Sequence, residues 1–271
     1  MGVVENLWRR HPQIATVPAM TNPPGFGSGS RLTFMSPLSD HRADRLAAEL
    51  AAHEPATVFD IGCGWGELLL RVLDAAPQAR GIGVDEFGPD VERARRNAAE
   101  RGLADRVTFL EGDAKDHLSP ADLVISSGAY QAFGSIPDAL QAIRPLVNPG
   151  GRVLFACEIW DRTPTAEELA EMWPGTTADT CLYLPDLVDQ AVAAGFRPLN
   201  IEMSTRGEWD WFEAGFAASS EEWLLANGDH DAADALRARL DAHRRRWLRG
   251  SRDAMGYAYL TLGVPTHPTV I

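Results

Sequence analysis

Through the first half of the chain, short apolar runs alternate with longer stretches in which apolar residues recur at helical spacing. Val58-Phe59-Asp60-Ile61 predicts a buried strand, followed by a helix from Glu67 to about Ala76 that Pro77 stops. Gly81 to Val84 predicts a second strand. The helix after it carries Val91, Ala94 and Ala98 on one face and arginines on the other, with Gly102 past its end. Val107–Leu110 and Leu123–Ile125 predict strands three and four. A helix through Leu140 and Ile143 ends before the Pro149-Gly150-Gly151 turn, and Val153–Ala156 is strand five. A helix from Pro185 to Ala194, a sixth strand near Leu199–Met203 and a last one over Tyr257–Leu262 complete the series. Ahead of it all, Ser36 reads as the N-cap and Pro37 as the first residue of a helix running through Leu46 and Leu50.

Strands apolar on both faces and separated by helices predict an α/β fold with a doubly wound, mostly parallel, Rossmann-like sheet. Pro18 to Ser30, rich in Gly, Pro and Ser, predicts an irregular N-terminal arm over 1–35, with a single domain over 36–271. The helical excursion from Glu208 to Arg252 is too long for a hairpin loop. It predicts a cap, about 205–254, over the ligand edge of the sheet.

The 271 residues are 45% hydrophobic, enough for a sizeable core, and no run is long and apolar enough to span a bilayer. The N-terminus lacks the pattern of a signal peptide, and Cys63, Cys157 and Cys181 have neither disulfide nor zinc spacing, so a reducing cytoplasm is expected. A net charge of −13 argues against a nucleic-acid partner. The arginines from Arg237 to Arg252 look like a basic patch, but Asp231, Asp234 and Asp241 interleave with its start, which favours a solvated helix with spaced ion pairs.

The candidate chemistry begins at Asp60-Ile61-Gly62-Cys63-Gly64-Trp65-Gly66, between the first strand and its helix. Glycines there allow a sharp turn and close approach to a ligand. Glu67 stands where a dinucleotide fingerprint wants its third glycine, and Asp60 with Glu67 would repel a pyrophosphate but not a cation. Asp85 and Glu86 follow strand two, where a carboxylate can accept both ribose hydroxyls; Asp113 and Ala114 follow strand three. Acids at three neighbouring strand ends converge on the crevice where open parallel sheets bind ligands.

VFDIGCGWGELLL, GIGVDEF, VTFLEGDA and NPGGRVLF, in this order and spacing, resemble class I S-adenosylmethionine-dependent methyltransferases, and the whole chain resembles actinobacterial small-molecule methyltransferases. The resemblance implies a seven-stranded sheet with its last strand antiparallel and S-adenosylmethionine as cofactor. Asp60 and the backbone of Gly62, Cys63, Gly64 and Gly66 would hold the methionine moiety, Asp85 the ribose with Glu86 beside it, and Asp113 the adenine amine with Ala114 donating from its backbone. Ser126 and Ser127 would line the sulfonium side.

Methyl transfer needs alignment first and a base only where the nucleophile carries a proton. The segment after strand four, Ser126-Ser127-Gly128-Ala129-Tyr130-Gln131, lacks the Asn/Asp-Pro-Pro-Tyr pattern of base or glutamine methylation and the Asp pair of catechol-type enzymes. Metal independence is therefore expected. Gln131 stands where relatives often carry a histidine, and an amide is no base at neutral pH. The remaining candidates are Tyr130, Glu158, His41 and Asp210. For Glu158 an ion pair with an arginine is an equal alternative, and for His41 an exposed helical position is the plainer reading. Trp160, Trp173, Trp209, Trp211 and Phe212 suit an aromatic or apolar small-molecule substrate, or simply glue the cap to the sheet. The expected function is methyl transfer from S-adenosylmethionine to such a metabolite. The alternatives are an NAD(P)-dependent oxidoreductase and a non-enzymatic cofactor-binding module.

Overall fold

The computed structural model describes residues 22–25 and 29–266, so most of the predicted arm lies outside the described residues. In chain order the larger elements are α1 (Asp40–Ala51), β1 (Thr57–Ile61), α2 (Glu67–Ala75), β2 (Arg80–Asp85), α3 (Gly88–Glu100), β3 (Val107–Glu111), β4 (Ala121–Ser127), α4 (Ile136–Ile143) and β5 (Val147–Trp160). They continue with α5 (Ala166–Glu171), α6 (Leu184–Ala193), β6 (Arg197–Met203), α7 (Arg206–Ala226), α8 (Ala233–Arg245) and β7 (Met255–Gly263).

The seven strands form one sheet in the order β3-β2-β1-β4-β5-β7-β6. Every pairing is parallel except those of β7, which runs antiparallel to both β5 and β6. Alternation along each strand sorts the core into two layers. Val58, Leu123 and Leu154 pack under Leu46 and Leu50 of α1, Leu69, Val72 and Leu73 of α2, and Val91, Ala94 and Ala98 of α3. Phe59, Val124, Val153 and Phe155 face the other way, under Ile136, Leu140 and Ile143 of α4 and Leu187 and Ala191 of α6.

Two expectations are corrected. The N-cap of α1 is Ser39, whose hydroxyl accepts from the Arg42 amide at 3.3 Å, not Ser36. The stretch before it is not helical: the Leu38 amide turns back to the Ser36 carbonyl (2.8 Å), while the Trp65 indole binds the Thr33 carbonyl (2.7 Å) and the Tyr259 hydroxyl the Pro37 carbonyl (3.2 Å). Strand five begins at Val147 and runs straight through the Pro149-Gly150-Gly151 segment read as a turn, with a register shift between Ala121 and Leu123 on its partner strand. The short helix α5, with a capping box between Thr165 and Glu168, was not anticipated.

The excursion before the last strand is a helical hairpin, α7 and α8, closed by a π-helical turn over Arg246–Ser251. Its root is Glu208, which caps Thr205 through its backbone N–H (2.7 Å) and accepts from the Ser39 hydroxyl (2.7 Å) and from Arg42 Nε and Nη2 (2.9 Å each). One carboxylate thus ties the start of the hairpin to the start of α1.

Candidate active site

The loop between β1 and α2 takes its shape from three glycines in the left-handed region, Gly62 (φ +66°), Gly64 (φ +52°) and Gly66 (φ +74°). A Cβ on Gly62 would also lie 2.6 Å from that of Ala129, so the loop packs directly on the Ala129 methyl of the segment after β4 and leaves no room for a side chain at Gly62. Between them opens a cleft of about 590 Å³, lined by Gly62, Gly64, Asp85, Glu86, Asp113, Ala114, Ser127 and Gln131. A smaller recess continues from it beneath Phe34, Met35 and Ser36 and reaches Asp60.

Asp60, at the carboxyl end of β1, is 4% exposed. Burial and then the nearby Asp85 charge push its carboxyl well above the usual carboxylate range, with no hydrogen bond or cation among the described residues to offset them. Asp85 is engaged in shaping the loop: one oxygen accepts from the Gly64 amide (2.8 Å) and the other from the Phe87 amide (2.9 Å). Asp113 accepts from the Lys115 amide (2.9 Å) and pairs with its ammonium (3.3 Å), which holds its carboxyl below the usual range. Glu86 is exposed on the rim. The Ser126 hydroxyl is buried without a hydrogen-bond partner, and Ser127 shares a 3.1 Å hydrogen bond with the Tyr257 hydroxyl. Burial pushes the Cys63 thiol up, so this cysteine contributes backbone and bulk rather than a thiolate.

The structure thus gathers Asp60, Gly62, Cys63, Gly64, Asp85, Glu86, Asp113, Ala114 and Ser127 along one continuous cleft and recess, with Gly66 turning the loop into α2 and Ser126 behind. Glu67 plays a different part from the one expected. Its carboxylate is clamped by Arg71 (2.7 Å) and Arg101 (2.6 Å), so it brings little uncompensated charge to the loop.

The five candidate catalytic residues separate. Gln131 lines the cleft. Tyr130 is half-buried, and burial followed by the Glu158 charge raises its phenol to about 12. Glu158, on β5, is not in the arginine pair offered as its alternative: its Oε2 is buried without a partner, and burial raises its carboxyl. His41 lies exposed on α1, in a groove with Arg42, Arg45 and Trp211 and outside the lining of the cleft. Asp210 is held by Arg252 through two 2.8 Å contacts, which lower its pKa, and sits in a groove of the cap.

The aromatic residues expected above the pocket also divide. Trp160 is buried with its indole on the Ala178 carbonyl (2.8 Å), while Trp173 and Trp211 are 59% and 69% exposed. Trp209 stacks on Trp247 (centroids 5.2 Å apart) and meets Tyr257 edge-on at 6.1 Å, cementing the cap to the sheet next to Ser127. The arginines of α8 pair as expected of a solvated helix: Arg237 with Asp234, Arg244 with Asp241 and Glu221, and Arg245 with Glu171. Sequence reading missed Met35 and Ser36 in the recess and Asp90 and Lys115 on the cleft wall. It missed Tyr257 as well, whose place beside Ser127 exists only because β7 runs antiparallel to β5.

The profile of the family described as "Methyltransferase domain" matches residues 52–214, from the turn before β1 into α7. The chain belongs to this methyltransferase family. Over 230 residues it is 26% identical to the "Uncharacterized protein YjhP" of Escherichia coli K12, covering 84% of this chain and 92% of that one. A crystal structure of a SAM-dependent methyltransferase from Geobacter sulfurreducens in complex with S-adenosyl-L-homocysteine superposes with a TM-score of 0.76 at 27% identity, over 84% of this chain and 92% of the other. "Aclacinomycin 10-hydroxylase RdmB" of Streptomyces purpurascens is 35% identical over 180 residues, covering 61% of this methyltransferase and 46% of its own length. Among the described residues no helix is long and apolar enough to cross a membrane, and no group of three or more His, Cys, Asp or Glu side chains is placed to hold a metal ion.

Proposed function

We propose that this chain transfers a methyl group from S-adenosylmethionine to an aromatic or otherwise apolar small molecule, without a metal. The observation that carries the reading is Asp60, a buried carboxyl at the floor of a glycine-walled recess with no cation of its own. Such a group is costly unless a cation arrives, and the cofactor brings an ammonium and a sulfonium. The residues present fit it along the whole cleft, whose volume of about 590 Å³ is within the range of small-ligand sites.

When bound, the cofactor supplies a methyl carbon already activated by its sulfonium leaving group. Asp60 would hold the ammonium, with the Gly62–Gly66 backbone around the methionine chain. Asp85 would accept the ribose hydroxyls while keeping the loop in shape, with Glu86 beside it. Asp113 would take the adenine amine and the Ala114 backbone would donate to the ring, while Ser126 and Ser127 border the reacting end. The work of these residues is alignment, which can contribute about 7–11 kcal/mol to a displacement. Tyr130, half-buried beside the segment after β4 whose Gly128, Ala129 and Gln131 line the cleft, supports an aromatic substrate, while the buried Tyr257 and Trp209 serve to hold Ser127 and the helical hairpin in place.

Calorimetry tests the first half of the reading. S-Adenosylhomocysteine should bind the chain with micromolar or tighter affinity and NAD should not, and Asp60→Asn should weaken the former. Binding of NAD with no response to S-adenosylhomocysteine would reverse the assignment. One relative is named a hydroxylase, so transfer itself is tested by release of S-adenosylhomocysteine over a panel of aromatic metabolites. Tight cofactor binding with silence across the panel would favour a binding module.

A further inference from the structure

The recess over Asp60 and the cleft beyond it meet at a neck. Among the described residues, Met35, Gly62, Gly64 and Ser127 border both spaces. Gly62 and Gly64 bring no side chain to it, and the Ser127 hydroxyl is tied to the buried Tyr257. Of the four, Met35 alone carries a long side chain with three rotatable bonds, and it is 41% exposed. Its neighbours are held more firmly. Phe34, Ser36 and Leu38 are buried. Ahead of Met35, the Trp65 indole binds the Thr33 carbonyl (2.7 Å), and Arg93 reaches the carbonyls of Gly29 (3.2 Å) and Leu32 (3.1 Å) with its guanidinium 4.0 Å over the Trp65 ring. Behind it, the Tyr259 hydroxyl binds the Pro37 carbonyl. The backbone is thus fastened at Thr33 and at Pro37, and Met35 lies at the middle of a bridge over the neck. At Gly29 (φ +60°) a Cβ would come within 2.5 Å of the Trp65 ring and 3.0 Å of Met35 Cε, so the methyl of Met35 rests against the turn that begins the bridge.

We infer that Met35 is the specificity-determining residue at the point of methyl transfer: its side chain borders the transferring methyl and sets how wide a body can reach it. The inference rests on the cofactor reading above. A cofactor whose ammonium meets Asp60, and whose ribose and adenine meet Asp85 and Asp113, has one end in the recess and the other in the cleft. The atoms that join those ends, the sulfonium and its methyl, then fall in the neck. There they meet glycine backbone, a hydroxyl already engaged by Tyr257, and the Met35 thioether. A thioether is polarisable and adaptable, so it can lie against a methylsulfonium and repack against a flat or aliphatic acceptor without demanding a hydrogen bond. Its anchored backbone keeps that adjustment local to the side chain. The acceptor is accordingly selected at the neck by width rather than by charge, which fits an apolar body.

The test needs no knowledge of the acceptor. The S-allyl analogue of S-adenosylmethionine carries a longer group in place of the methyl and is otherwise identical. Calorimetry of the two donors gives an affinity ratio from which any general loss of cofactor binding cancels. Wild-type protein should bind the S-allyl analogue about tenfold less tightly, the effect of overfilling a packed site. Met35→Ala should bring the two affinities to within about threefold of each other, and Met35→Leu, with nearly the same volume, should keep the wild-type ratio. Equal affinities in wild type, a penalty that survives Met35→Ala, or one lost as fully in Met35→Leu overturns the inference. A second measurement uses wild-type protein alone and stands even if a variant fails to fold. Saturating S-adenosylmethionine should slow the oxidation of Met35 by peroxide severalfold, read by peptide mass spectrometry, and an unchanged rate would place the methyl away from Met35 and overturn the inference. Failure of wild-type protein to bind S-adenosylmethionine at all would instead overturn the cofactor reading beneath it.

Discussion

Asp60 and Asp85 stand at neighbouring strand ends, and the Asp85 charge adds to burial in making Asp60 harder to ionise at the mouth of the loop. Because the Asp60 pKa is raised in the free protein, a cationic ligand that stabilises its carboxylate must expel a proton wherever the pH lies below that raised value. S-Adenosylhomocysteine affinity should therefore fall as pH drops through a range above the ordinary carboxylate pKa. Calorimetry in buffers of different ionisation enthalpy should show a proton released there, and Asp60→Asn should lose both the release and the pH dependence. Asp85→Ala removes an acceptor of the Gly64 and Phe87 amides and, on the proposed function, a ribose contact. Its expected cost in cofactor affinity is about 1–3 kcal/mol, and unchanged affinity would remove Asp85 from the site.

Among the elements, α7 depends most on a single side chain. Burial of Glu208 opposes its ionisation, but the Arg42 guanidinium, the Thr205 amide and the Ser39 hydroxyl outweigh burial and hold its pKa at about 2. A folded-state pKa below the unfolded one stabilises the native state above the unfolded value, and that stability is lost as pH falls through the folded value. The melting temperature should drop between about pH 4.5 and 2, the span from an ordinary glutamate to Glu208. Glu208→Gln should be less stable at pH 7 and show a shallower acid limb. The same element shows how far periodicity carries. Thr205 and Glu208 spell a capping box in the sequence, whereas the bond from Glu208 to Ser39, 169 positions away, has no sequence signature.

At the scale of the whole molecule, the helical hairpin, α1 and the sheet edge meet at Arg42. Its guanidinium joins Glu208 of α7 (2.9 Å) to Glu202 of β6 (2.5 Å). Arg42→Ala would leave two largely buried carboxylates without their shared partner, and breaking such a pair costs about 3–5 kcal/mol. Arg45→Ala touches the same Glu202 from a side chain that is 38% exposed, and should cost less than about 1 kcal/mol. Denaturant melts of the two variants measure the contrast, and equal losses would show that the junction is not where the cap is anchored.

The sheet was legible in the chain because each strand is a short apolar run bounded by glycines, prolines and acids, and each side chain's face follows from a period of two. The meeting of these residues in one cleft and recess was legible for the same local reason: Asp60, the three glycines, Asp85 and Asp113 sit at strand ends that periodicity already marks. Ser39 caps the helix in place of Ser36, and the Pro37 carbonyl between them is held by Tyr259, far along the chain. Glu67 lost its expected role because Arg101, 34 positions on, folds back to neutralise it. Tyr257 reaches Ser127 only because the antiparallel strand β7 comes to lie beside β5. Spacing along a chain fixes which residues share a face, but not which charges meet across 30 to 200 positions, since those meetings depend on how the packed layers bring distant segments within a few ångströms.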